Sequence, residues 1–257
     1  MLLVIDIGNT NIVIGAFKGE ELLFEFRLKT DPGRTLDEYS ALLFSLIDRK
    51  LGPGAEFKEC VISSVVPPLT NDLVRLVEDS FKLKPLVVGP GIKTGLSIKI
   101  ANPSTVGADR VVNAVAAKVL FGTPALVIDF GTGTTFDYIS KEGNYEGGVI
   151  CPGAFIALDA LVKNTAKLPR IEFAWPKSFV GRDTISAMQA GAVGGYVCMV
   201  DGLVDRIVDE LGPIEHVVAT GGLGRLFSAH SGRIRRYDPH LTLKGMRILA
   251  ELNRAEL

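Results

Sequence analysis

The sequence predicts an α/β protein built of two similar halves. Two observations carry this. Leu3-Val4-Ile5-Asp6-Ile7-Gly8-Asn9-Thr10 is echoed 123 positions later by Leu126-Val127-Ile128-Asp129-Phe130-Gly131-Thr132-Gly133-Thr134-Thr135. Each copy is a short apolar run, then Asp, one apolar residue, Gly, and small hydroxyl or amide residues. The elements after each copy also follow one order, a strand meander and then alternating helix and strand. A chain of 257 residues can bury a core as one large domain or as two smaller ones. The halves are expected at residues 1–115 and 116–257, with no low-complexity linker between them.

Residues 2–7 and 11–17 read as buried strands joined by the first Asp-x-Gly loop. A turn at Phe17-Lys18-Gly19-Glu20 leads to a stretch where Phe24, Phe26 and Leu28 alternate with Glu25 and Arg27, the pattern of a half-buried strand. Thr35 and Glu38 form a capping box ahead of a helix that carries Tyr39, Leu42, Leu43, Leu46 and Ile47 on one stripe. A strand at 60–66 precedes Pro67-Pro68, which opens a helix with Leu69, Leu73, Leu76 and Val77 on its apolar face. A short strand follows at 86–88. Residues 108–120, rich in Ala and Val, predict a largely buried helix near the boundary between the halves. The pattern then restarts with a strand at 125–129, the second loop, strands at 135–140 and after 144, and a helix to about 162. Residues 165–179 are irregular, with Pro169 and Pro176. Residues 184–211 are helical, with a kink expected at Gly191 or at Gly194-Gly195. A strand at 216–219 and a last helix from about Thr242 complete the chain.

Hydrophobic residues make up 47% and charged residues 22%, ordinary values for a globular protein. A formal net charge of −1 argues against a binder of nucleic acid or of anionic membrane surfaces. It leaves room for a small anionic ligand, which needs only a local site. Cys60, Cys151 and Cys198 lack Cys-x-x-Cys spacing, and their odd, sparse count fits reduced thiols in the cytoplasm. His216, His230 and His240 do not cluster with them, so no zinc site is expected. The N-terminus runs straight into a strand with no basic segment or cleavage site, so no secretory leader is expected. No apolar run approaches the roughly 20 residues that span a bilayer, so no membrane partner is expected.

Neither Gly-x-x-x-x-Gly-Lys-[Ser/Thr], nor Gly-x-Gly-x-x-Gly after a strand, nor Gly-x-Ser-x-Gly is present. A phosphate site must be built another way, and the paired loops supply it. Gly lets the backbone turn tightly with no Cβ in the way of a ligand. Thr and Asn side chains and exposed backbone N–H groups suit phosphate oxygens. Asp suits hydrated Mg²⁺, a hard cation that takes oxygen ligands. The two loops together therefore point to two halves facing one nucleotide. Thr220-Gly221-Gly222-Leu223-Gly224 follows a strand. It reads either as a plain strand-to-helix turn or, given the two phosphate-type loops, as an adenosine contact.

Gly107-Ala108-Asp109-Arg110 puts an acid and a base side by side at a helix start. The macrodipole alone welcomes Asp there. Because the helix behind it is apolar on nearly all sides, the carboxylate also reads as a base for a substrate hydroxyl. The guanidinium beside it could hold a substrate oxygen or steady developing charge. Gly181-Arg182-Asp183-Thr184 precedes the long helix, with Asp183 or Thr184 as its N-cap. Trp175, Cys151 and Met188 read as packing.

In these motifs the chain resembles the type III pantothenate kinase family, a branch of the acetate and sugar kinase/Hsc70/actin superfamily. The resemblance covers essentially the whole chain. Beyond the two loops and Gly107–Arg110 it rests on Asn102-Pro103, Tyr145-Glu146-Gly147-Gly148, Pro152-Gly153, Thr165-Ala166-Lys167-Leu168-Pro169 and Gly181–Thr184. It implies two ribonuclease H-like, actin-like ATPase half-domains with a nucleotide cleft between them. The implied reaction is ATP-dependent phosphorylation of pantothenate to 4′-phosphopantothenate, the first step of coenzyme A biosynthesis. By the same resemblance Asp109 is the general base, and Gly107, Ala108, Asp109, Arg110 and Thr184 bind pantothenate. Asp6, Ile7, Gly8, Asn9, Thr10, Asn11, Ile12 and Val13 hold the ATP phosphates, with Asp6 near Mg²⁺, and Thr132 also touches ATP. Asp129 is the implied ligand of a monovalent cation, K⁺ or NH₄⁺. A cytoplasmic homodimer is implied as well. Two positions depart from the family pattern: Ile100 where many relatives carry Tyr, and Gly133 where they often carry Ala. The rival readings are another small-molecule kinase or phosphohydrolase of the superfamily and a non-catalytic regulator. The regulator should have lost an acid, and every acid of the pattern is present.

Overall fold

The computed structural model describes residues 1–254. The chain divides into two compact units. The first comprises Met1–Leu96, Ala101–Ala116 and residues 241–254; the second comprises Ser97–Ile100 and Ala117–His240.

In the first unit, β1 (Leu2–Ile7), β2 (Asn11–Lys18) and β3 (Glu21–Lys29) form an antiparallel meander. Helix α1 (Leu36–Leu51) starts at the expected capping box, in which the Glu38 carboxylate accepts from the Thr35 N–H at 2.8 Å. Strand β4 (Glu59–Ser64) lies parallel to β1, α2 (Pro67–Phe81) follows, and β5 (Leu86–Val87) pairs with β4. The sheet order is β3-β2-β1-β4-β5. Its alternation fills two cores. Leu3, Ile5, Ile7 and Ile62 pack with the apolar stripes of α1 and α2. Leu2, Val4 and Val61 face the other way.

The chain then gives β6 (Ser97–Ile98), one 3-10 turn at Pro103–Thr105, and α3 (Ala108–Phe121), whose Val112 and Val115 join Leu2, Val4 and Val61. The division between units falls inside α3. In the second unit β7 (Ala125–Phe130), β8 (Gly133–Ile139) and β9 (Asn144–Pro152) repeat the meander. Helices α4 (Ala154–Lys163) and α5 (Thr184–Gln189), a π-helical segment at Ala190–Gly195, and α6 (Tyr196–Leu211) follow. Then come β10 (His216–Thr220), parallel to β7, the short α7 (Gly224–Ser228), and β11 (Arg236–Tyr237), parallel to β10. The sheet order is β11-β10-β7-β8-β9-β6. Read from the meander edge, it repeats the first sheet strand for strand, with β6 added outside β9.

Three features depart from expectation. The last helix, α8 (Leu241–Leu252), belongs to the first unit, whereas the sequence division placed it in the second. Its Leu243, Met246 and Leu249 are buried in the core that Val4 and Val112 share. Gly245 permits the approach, because a Cβ there would overlap the Val112 carbonyl oxygen. β6 and β11 are two-residue strands that no sequence period reveals. At the glycines where a kink was expected, the long helix carries a π turn, a local change the sequence does not announce. That helical run, Thr184–Leu211, spans 28 residues with a mean hydropathy of 1.2 over its most apolar window, so by length and composition it passes for a membrane span although its apolar residues are not consecutive. Val193, Val197, Val200 and Val204 are buried in the core of the second unit.

Candidate active site

The first loop sits at the end of the β1–β2 hairpin. Asp6 is half-buried and registers with Val13 on β2 and Ser63 on β4. The Gly8 N–H donates to the Asn11 carbonyl at 3.0 Å, closing the turn. Thr30, just past β3, clamps it from the side. Its hydroxyl donates to the Gly8 carbonyl at 2.6 Å and its N–H to the Thr10 carbonyl at 3.0 Å. Asn9, Thr10 and Asn11 are exposed, as a ligand loop requires. Ile7 and Ile12 are fully buried, so they can offer a ligand only backbone groups; Val13 is half-buried.

The start of α3 lies near this loop. The Val65 N–H donates to the Ile7 carbonyl at 3.0 Å, and a Cβ on Gly107 would stand 3.4 Å from Val65 Cγ1. The same Cβ would stand 2.5 Å from Asp109 Oδ1, so glycine at 107 lets the carboxylate fold back over the helix start. Asp109 Oδ1 accepts from the Arg110 N–H at 2.8 Å. Burial pushes the Asp109 carboxyl above the ordinary carboxylate range, and the Arg110 N–H and guanidinium oppose that shift. A carboxylate with a raised proton affinity at a helix start is what a general base needs. Ala108 and Arg110 are half-buried beside it.

The second loop has the same plan in the second unit. Asp129 is half-buried and registers with Thr135 on β8 and Thr220 on β10. The Gly131 N–H donates to the Gly133 carbonyl at 3.1 Å, and Thr132 is half-buried. Gly153 presses on the loop from outside, since a Cβ there would overlap the Thr132 carbonyl oxygen. The Tyr196 hydroxyl lies 2.7 Å from Thr134 Oγ1 and 2.8 Å from the Pro152 carbonyl oxygen. The third loop packs against this one. Gly221 has a φ of +88°, and a Cβ on it would stand 2.5 Å from Asp129 Oδ1. The structure therefore brings the glycine-rich turn directly to Asp129.

Thr184 is the exposed first residue of α5. The N-cap is Asp183, which accepts from the Ser186 N–H at 2.9 Å, and the Ser186 N–H and hydroxyl hold its carboxyl below the usual range. Ile100 packs near Gly147. Within the first unit the structure thus gathers the first loop and Gly107–Arg110. Within the second it gathers the second and third loops. The sequence analysis missed buried Asp137, which accepts from the Tyr145 hydroxyl at 2.7 Å and the Thr135 hydroxyl at 3.0 Å. Its spacing two residues after Thr135, on the strand face of Asp129's partner, was the available signal.

Among the described residues no three His, Cys, Asp or Glu side chains converge. One carboxylate at a phosphate loop is, however, how Mg²⁺ is commonly held, with nucleotide oxygens and waters completing its shell. Asp6 fits that role. Asp129, with the Gly221 backbone close against it, offers a carboxylate among backbone groups, a donor set that suits a monovalent cation.

A sequence model described as "Type III pantothenate kinase" matches residues 2–206. A protein from Bacillus cytotoxicus described as "Type III pantothenate kinase" is 50% identical over 253 residues, 98% of this chain and 97% of that one. The chain belongs to the type III pantothenate kinase family. Among solved structures, a protein of Campylobacter jejuni described as a Baf family transcriptional activator superposes with a TM-score of 0.62 at 18% identity, covering 98% of this chain and 99% of that one. The activator of the 2-hydroxyisocaproyl-CoA dehydratase from Clostridium difficile, solved with bound ADPNP, superposes with a TM-score of 0.54 at 12% identity, covering 99% and 96%. These likenesses run over nearly the whole chain and show that this family member shares its two-sheet α/β fold with both structures.

Proposed function

We propose that the chain transfers the γ-phosphoryl group of ATP to the primary hydroxyl of pantothenate, giving 4′-phosphopantothenate and ADP. The observation that carries this reading is Asp109, a carboxyl of raised proton affinity at a helix start packed beside the first phosphate loop. Asp109 accepts the hydroxyl proton as the new P–O bond forms and ADP leaves with the electrons of the broken bond. Arg110 holds a substrate oxygen. Gly107, Ala108 and Thr184 complete the pantothenate contacts. Residues 6–13 cradle the ATP phosphates, largely through backbone N–H groups and the exposed Asn9, Thr10 and Asn11. Thr132 contributes from the second loop, and the turn at 220–224 supports adenosine. When bound at Asp6, Mg²⁺ neutralises phosphate charge. Asp129 holds K⁺ or NH₄⁺ and thereby orders its own loop. A homodimer fits the exposed apolar side chains of α4, Phe155, Ile156 and Leu161. The site of action is the cytoplasm.

The test is a coupled assay of ADP release with ATP, Mg²⁺ and K⁺, with and without pantothenate, repeated with Na⁺ in place of K⁺. The expected outcome is pantothenate-dependent turnover that collapses in Na⁺. Turnover independent of pantothenate overturns the substrate; equal rates in Na⁺ overturn the role of Asp129.

A further inference from the structure

Ser63 lies at the end of β4 with its side chain fully buried, and its hydroxyl has no hydrogen-bond partner among the described residues. The contrast with the next residue is sharp. The Ser64 hydroxyl oxygen accepts from the Val66 N–H at 3.1 Å and from the Thr70 hydroxyl at 2.6 Å. A buried hydroxyl without a partner is costly, and native structures retain few of them without a use.

Ser63 registers directly beside Asp6 in the parallel β1–β4 pair. Neighbouring parallel strands run about 4.8 Å apart, and residues in register point to the same face. That face is fixed by Leu2, Val4 and Val61, which share one core with Val112 and Val115 of α3. The Ser63 hydroxyl is therefore on the α3 side of the sheet, next to the Asp6 carboxylate. The internal repeat supplies a second, independent observation. In the other unit Thr220 registers beside Asp129 in the parallel β7–β10 pair and is likewise buried. Each loop aspartate has a hydroxyl residue at its flank, on the strand that pairs parallel to its own.

We infer that Ser63 is a positioning residue for Asp6, its hydroxyl donating to the Asp6 carboxylate when a nucleotide and its divalent cation fill the first loop. The hydroxyl narrows the orientations open to the carboxylate and so raises affinity for the metal–nucleotide pair. It touches neither pantothenate nor the γ-phosphoryl group. This inference rests on the reading of the first loop as the nucleotide phosphate site.

The experiment compares wild type, Ser63→Ala, Ser63→Thr and Asp6→Asn. Calorimetry measures ADP binding with and without Mg²⁺, and thermal melting is recorded without ligand. Ser63→Ala should weaken Mg²⁺-dependent ADP binding roughly tenfold, the scale of one hydrogen bond to a charged group. ADP binding without Mg²⁺ should be unchanged, and ligand-free melting should stay level or rise, since an unpartnered hydroxyl has been removed. Ser63→Thr, which keeps the hydroxyl and matches the other unit, should recover most of the affinity. Wild-type Mg²⁺ dependence in Ser63→Ala overturns the inference, as does a fall in melting with no change in Mg²⁺ dependence. If Asp6→Asn also leaves Mg²⁺ dependence untouched, the reading of the first loop fails with it. If Asp6→Asn shifts it and Ser63→Ala does not, only the role of Ser63 fails.

Discussion

The two Asp-x-Gly loops share a signature and are secured by different means. The first, residues 8–11 between paired Ile7 and Ile12, is tied by hydrogen bonds from Thr30, a residue that follows the meander's own third strand. The second, residues 131–133 between paired Phe130 and Thr134, is one residue shorter and is wedged by the Gly153 backbone and by Tyr196 of a distant helix. The first loop also has the Asp109 carboxylate near it, while the second has the Gly221 turn. One pattern thus stands in two settings: a loop beside an acid, which suits chemistry, and a loop beside a glycine turn, which suits holding a ligand.

The comparison is broken most severely at Asp109. Asp109→Asn keeps the shape and removes the proposed base, so kcat should fall by roughly 10²–10⁴-fold with nucleotide affinity mostly retained. Steady-state kinetics with ATP titrations check this, and near wild-type turnover defeats the division of labour. The same variant has a stability signature. Burial raises the proton affinity of Asp109 in the folded chain, so its contribution is full below the unfolded pKa and is lost as pH rises through the folded one. Asp109→Asn should therefore melt higher than wild type near neutral pH, with the difference vanishing in acid below the ordinary carboxylate range. Thermal melts across pH decide it.

At intermediate size, Gly153→Ala tests the wedge. The added methyl meets backbone oxygen, which a rotamer change cannot relieve, so the second loop must shift at a cost of about 1–3 kcal/mol. The KM for ATP should rise, read by the same titrations alongside melting. The smallest effect belongs to the tie on the first loop. Thr30→Val removes the donor to the Gly8 carbonyl and should cost about 1 kcal/mol in chemical denaturation. Equal penalties at Gly153 and Thr30 would erase the distinction between wedge and tie.

Much of this was readable from the chain. Asp6 and Asp129 announce the repeat because a strand that ends at a ligand loop has a strict local grammar, and both meanders and the Thr35–Glu38 box follow from patterns only a few residues long. Long-range placement was harder. Nothing local says which half α8 joins; that depends on a surface of Val4, Val61 and Val112 assembled from three distant segments. Gly245 was a hint, since glycine inside a helix costs about 1 kcal/mol relative to alanine unless a close approach needs it. β6 and β11 are too short to show a period. At the candidate site, Gly107–Arg110 stood out by composition, but the raised proton affinity of Asp109 depends on burial that only the fold supplies. Asp137 and Ser63 were overlooked because a single Asp or Ser within a strand carries no motif; its meaning comes from the neighbours that the sheet sets beside it.

The π turn at Ala190–Gly195 acts as a phase shifter. Each residue of an α-helix advances its side chain by about 100° around the axis, and a π turn takes up one residue more than an α turn does. Helices α5 and α6 can therefore run on continuously while keeping separate angular settings. Val197, Val200 and Val204 are locked by the core of their unit. Thr184 lies upstream of the joint, and Phe179 and Pro176 seat on Gly194 within it, where a Cβ would stand 2.7 Å from the Phe179 ring. In such a helix the direction of an exposed residue upstream of the joint is tuned by counting residues in a glycine-rich turn, and the packing that keeps the unit folded is left as it was.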